Sequence, residues 1–131
     1  MDAPVQEWLS IAHEDYDAAD VMFKNHKYLY SAFMCQQALE KALKALYQHR
    51  FSEVPPRKHD LVRLADQAGV LGACSDDQKM LLSTLTEFYI EARYPGDRAE
   101  LSARCDRDFA GAILEDTREM IMWLEKQLRD S

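Results

Sequence analysis

Chain breakers are scarce in this sequence, and they cluster. The 131 residues include four glycines and four prolines, about half the usual share. The punctuation falls at Asn25-His26-Lys27, at Val54-Pro55-Pro56, at Gly69 to Ser75 and at Tyr94-Pro95-Gly96-Asp97. The stretches between are rich in Ala, Leu, Glu, Lys and Gln, which lose little on entering a helix. Such a chain folds into a few long helices. Its length suits a single domain over residues 1–131, with no room for two cores.

Apolar spacing gives five segments. The first, about Ala3 to Lys24, repeats Trp8, Ile11, Asp15, Ala18 and Met22 at three- and four-residue steps, with Ala12, Ala19 and Phe23 widening the stripe. The second, about Tyr28 to Arg50, sets Ala32, Cys35, Leu39, Ala42, Leu43 and Leu46 on one face. Gln37, Glu40, Lys41 and Lys44 fall on another, where Glu40 and Lys44 form a favourably oriented i,i+4 pair. Pro55-Pro56 cannot continue this helix. The third is short, about Lys58 to Ala68, and Gly69 suits the position past its end. The fourth starts after Ser75, with Gln78 completing a capping box, and runs along Leu81, Leu82, Leu85, Phe88, Tyr89 and Ala92 until Pro95. The fifth spans about Asp106 to Arg129. Four long helices and one short one read as an all-α, up-and-down bundle. Met80, Met120, Met122 and Trp123 exceed what one thin bundle hides, which points to a partner protein or a second copy of the chain.

Composition removes several functions. The formal charge of −7 repels phosphate backbones, so a general nucleic-acid coat is excluded while a local basic site is not. No apolar run approaches the roughly 18 residues a membrane span requires. The start, Met1-Asp2-Ala3-Pro4-Val5, lacks the regions of a signal peptide. Cys35, Cys74 and Cys105 form no CxxC pair, so neither a zinc knuckle nor a disulfide framework is legible, and a reducing cytoplasm is the expected location. There is no P-loop, dinucleotide fingerprint, HExxH or GxSxG. No Glu is followed three residues later by His, as a di-iron bundle requires. No metal or cofactor is expected.

Two places carry candidate chemistry. His59 opens the third segment, where it either bonds locally or reaches a ligand or the next helix. Arg93-Tyr94-Pro95-Gly96-Asp97-Arg98 combines two guanidiniums, a phenol and a carboxylate at a helix break. Arg offers a planar fork to phosphate and Tyr a stacking face. The structural alternative has Arg93 bracing terminal carbonyls, Tyr94 packed on the core and Arg98 paired with Asp97.

Together these residues resemble the HEPN family, the higher-eukaryote and prokaryote nucleotide-binding domain. The resemblance rests on Ala32-Phe33 and the string Gln36 to Leu46, on Lys58-His59-Asp60-Leu61, and on Tyr89-Ile90-Glu91-Ala92-Arg93-Tyr94-Pro95. It implies a helical bundle that pairs into a homodimer, often beside a small nucleotidyltransferase in a toxin–antitoxin-like pair. Many active members of the family it resembles are metal-independent ribonucleases built on an Arg, four to six residues and a His. Arg93 matches that arginine, but positions 98 to 100 are Arg98, Ala99 and Glu100. The expected function is therefore a non-catalytic homodimer binding a nucleotide, RNA or a partner protein. Its expected ligand-binding residues are Arg93, Tyr94, Asp97 and Arg98, with Lys58 and His59 at the edge. The alternative is a HEPN ribonuclease with a displaced histidine, His59 approaching Arg93.

Overall fold

The computed structural model describes residues 1–131. Six helices carry the chain: α1 (Ala3–Lys24), α2 (Tyr28–Phe51), α3 (Leu61–Gln67), α4 (Asp76–Thr86), α5 (Pro95–Arg104) and α6 (Arg107–Arg129). Short 3₁₀ turns lie at Leu71–Ala73 and Ile90–Ala92. None of the helices is long and apolar enough to cross a membrane.

Local chemistry explains most boundaries. The Asp2 side chain accepts from the Val5 N–H and caps α1, with Pro4 in the first turn. Ser75 and Gln78 form the expected capping box on α4. Gly69 takes φ +76° just past α3, a conformation costly for other residues. Three boundaries differ from the sequence reading. α3 starts at Leu61, because Asp60 stays extended and accepts from the Arg63 N–H. α4 stops at Thr86, well before Pro95: the chain leaves the helix to bury Phe88 completely. Pro95 then opens α5 in place of merely ending α4, since the first helical position needs no N–H.

α2 is the centre of the bundle. α1 folds back on it through a three-residue connection, and α6 covers another side. Small residues let the helices approach closely: Ala12, Ala19, Ala38, Ala42 and Ala45 are all buried. Tyr16 donates to the Leu114 carbonyl at 3.0 Å, and Ser31 to the Ala19 carbonyl at 2.8 Å. A second, smaller core surrounds Phe88, with Ala32, Ile90, Leu101, Cys105 and Ala110. It seats α5 against the bundle.

All three thiols are buried. Burial pushes the Cys35 thiol up to about 12 and that of Cys105 to about 11, and it raises Cys74 as well. Thiolate is the reactive form. The folded protein is therefore expected to resist a disulfide-exchange reagent at pH 8 and to titrate three thiols in denaturant. Prompt labelling of a native thiol would contradict this burial.

Candidate functional site

The polar side of α2 is where the sequence reading and the structure part most sharply. Glu40 and Lys44, expected on an open polar face, are 2% and 7% exposed. Lys44 Nζ lies 3.1 Å from Glu40 Oε2. His59 Nδ1 lies 2.7 Å from Glu40 Oε1, and Gln36 Nε2 donates to that same oxygen at 3.3 Å and to the His59 carbonyl at 3.0 Å. The Glu40 carboxylate is thus shared among three donors, as a buried charge requires. An ionised carboxylate only accepts, so His59 Nδ1 is the donor in this contact. The imidazole also stacks on Tyr89, with ring centres 3.9 Å apart and planes within 10°. His59 therefore bonds back to α2, the helix before it, and stacks on Tyr89 beyond α4.

His59 opens onto a cleft of about 440 Å³ lined by Trp8, Lys44, Val54, Pro55, Arg57 and His59. The Lys44 ammonium sits 5.6 Å from the Trp8 ring centre. No carboxylate lines this cleft. Lys58 lies in the loop before α3, half-buried.

The Arg93 hexapeptide is arranged differently. Arg93 Nε donates to the Glu87 carbonyl at 3.2 Å, so the guanidinium braces the chain just after α4. It lines a small cleft of about 180 Å³ with Asp97, Glu87, Glu100 and Arg104, and Arg104 pairs with Glu87 at 3.0 Å. Carboxylates outnumber guanidiniums there. Tyr94 is 79% exposed rather than packed on the core. Arg98 donates to the Tyr30 hydroxyl at 3.0 Å, with its guanidinium 5.7 Å from that ring, and makes no pair with Asp97. Arg93 and Asp97 therefore share one cleft, and His59 belongs to another.

α2 links these groups. Tyr30, Phe33, Gln37, Glu40 and Lys44 recur at three- and four-residue steps and so share one stripe. Along it lie Arg98 on Tyr30, Tyr89 against Phe33, His59 on Glu40, and Trp8 over Lys44. The span from Tyr30 to Lys44 is about 21 Å at the helical rise. Gln36, Glu40, Lys44, Tyr89, Trp8, Tyr30 and Arg57 were not among the ligand-binding residues expected from sequence. One signal was present: α2 carries small or apolar residues on nearly every side, the pattern of a helix buried all round. Side chains of His, Cys, Asp and Glu nowhere converge in groups of three or more suited to a metal ion.

A long helical hairpin closed by a third long helix, with shorter helices seating a polar stripe on its central member, defines a small all-α bundle domain. The chain belongs to the HEPN domain family, whose model matches residues 5–127. Its fold is similar to the crystal structure of TT1696 from Thermus thermophilus, with a TM-score of 0.79, 24% identity, and 93% of this chain and 96% of that one covered. It is also similar to ST0689, described as an archaeal HEPN homologue, with a TM-score of 0.73, 22% identity, and 95% and 97% covered. At these identities the likeness is one of fold. Among curated proteins, none matches the chain.

Proposed function

We propose that this chain is a non-catalytic HEPN-domain protein that works as a homodimer and binds a nucleotide or RNA along the α2 stripe. What supports the reading is the line of cations and rings on an otherwise acidic protein: Arg98 and Tyr30 at one end, His59 and Tyr89 in the middle, Arg57 and Trp8 at the other, where Lys44 forms part of the cleft wall paired to Glu40. Phosphates spaced along a single strand meet cations at intervals, and bases stack on exposed rings. Beyond the stripe, further contacts fall to Arg93, Tyr94 and Asp97, which lie close in sequence to Arg98 at the start of α5, and to Lys58, which adjoins His59. Ile11 and Val21, exposed on α1, provide apolar surface for pairing. A small nucleotidyltransferase is the partner protein the family suggests.

The test uses labelled oligouridylate and a mononucleotide in excess chelator. Binding without cleavage is expected. Arg93→Ala is expected to weaken it about tenfold, since one charge-assisted hydrogen bond is worth about 1.5–3 kcal/mol. If neither probe binds at millimolar concentration, the ligand reading fails and a protein-binding role remains. Sedimentation as a strict monomer across micromolar concentrations would overturn the homodimer.

One observation favours the enzyme alternative. Glu40 Oε1 holds His59 Nδ1 at 2.7 Å, which orients the ring and leaves Nε2 on the side away from that carboxylate, as in an oriented general base. Metal-free cleavage of the same oligouridylate, abolished in His59→Ala, would replace the non-catalytic reading.

A further inference from the structure

A second cleft lies away from the α2 stripe, and it has the opposite character. Between α4 and α6 runs an open groove of about 560 Å³. Its floor is apolar: Leu81, Ile113 and Met120 are nearly closed to solvent, Phe109 is half-buried, and Met80 stands 67% exposed at the edge. Its rim carries Asp77 from α4 and Asp116 and Glu119 from α6. No lining side chain is basic. The α6 side extends from Phe109 to Met120, about 17 Å at the helical rise, or about three turns.

We propose that this groove receives a basic amphipathic helix from another polypeptide. Length, an apolar floor and adaptable methionine match the way an amphipathic helix lies in a groove on one apolar face. The carboxylate rim selects the flanks of that helix: lysines or arginines beside its apolar stripe meet Asp77, Asp116 and Glu119 with complementary sign. The same rim disfavours a second copy of this chain. Pairing the groove with itself about a two-fold axis sets carboxylates against carboxylates. The inference is independent of ligand binding on the α2 stripe, since the two sites share no lining residue.

The experiment titrates the full chain with a fluorescent Leu/Lys amphipathic helix of about four turns, a Leu/Glu helix of the same pattern, and a Leu/Lys peptide of scrambled order. Micromolar binding of the patterned Leu/Lys helix alone is expected, with amide-exchange protection confined to α4 and α6. Asp116→Lys combined with Glu119→Lys alters only exposed side chains, so the bundle's melting midpoint should hold while affinity falls at least tenfold. Met80→Ser provides a second, uncharged variant, expected to weaken binding severalfold. Equal binding of the scrambled peptide, unchanged affinity in the charge-reversed variant, or protection elsewhere would overturn the proposal. So would a concentration-dependent dimer whose own exchange protection covers α4 and α6, which would assign the groove to a second copy.

Discussion

Glu40→Ala is expected to destabilise the bundle by about 3–5 kcal/mol, because it leaves the Lys44 ammonium buried without its counter-charge. For a domain of this size that lowers the melting midpoint by roughly 10–20 °C. Lys44 is nearly closed to solvent and has Glu40 as its one ion-pair partner, 3.1 Å away. The pair itself contributes far less than its disruption costs. Two charges removed from water recover most of their desolvation from each other and from Gln36 and His59. Glu40→Leu with Lys44→Leu is therefore expected to melt near the wild type or above it. That double variant still frees His59, whose Nδ1 loses its anchor. Stability and ligand affinity should then separate: the double variant stays folded and binds oligouridylate more weakly. Thermal unfolding of the single and double variants checks the first part, and titration of the double variant checks the second. A single variant that melts within 2 °C of the wild type, a threshold of roughly half a kcal/mol, would mean the ammonium escapes to solvent.

Phe88→Ala is expected to cost about 3–5 kcal/mol, the range for deleting a buried aromatic ring. Phe88 is fully buried in the smaller core, with its ring 5.7 Å from that of Phe109 and the Arg104 guanidinium 5.9 Å away. That core is thin, so few neighbours can move inward to fill the space. Its loss should be felt locally as well. α5 rests on this core through Leu101 and through Cys105 just past its end, and α5 carries Arg98. Amide exchange is expected to accelerate in α5 before the α1–α2 hairpin opens. Uniform acceleration across all helices would show that the two cores melt as one unit.

The three long helices were legible because each obeys one rule throughout: an apolar stripe at helical spacing, closed by a cap or a break. α1, α2 and α6 fall almost where periodicity sets them. The region from Thr86 to Arg104 was not, since the rules conflict there. Leu85, Phe88, Tyr89 and Ala92 continue a helical stripe on paper. Burying Phe88 in a separate core outweighs that continuity, and Pro95 serves as a start where it read as a stop. The candidate site was half visible. His59 stood out as an unusual residue at a helix start, and the Arg93 hexapeptide as an unusual string. Glu40 and Lys44 were hidden by their own regularity: an i,i+4 ion pair is the ordinary mark of a solvated face. Only the packing of α3's leading loop over α2 turns that pair into the anchor of His59. A contact between positions 19 residues apart in sequence leaves no periodic trace.

The most direct measurement is the salt dependence of oligouridylate binding by the wild type and by Arg98→Ala and Arg57→Ala. Each phosphate neutralised on a single strand contributes about 0.7 to the slope of log affinity against log salt. Arg98 and Arg57 lie near opposite ends of the α2 stripe, on Tyr30 and beside His59. If one strand runs along the stripe, each substitution should lower the magnitude of the slope by about 0.7, and the double variant by about twice that. A wild-type slope near zero, or a slope that neither substitution changes, would contradict the stripe as a nucleic-acid site.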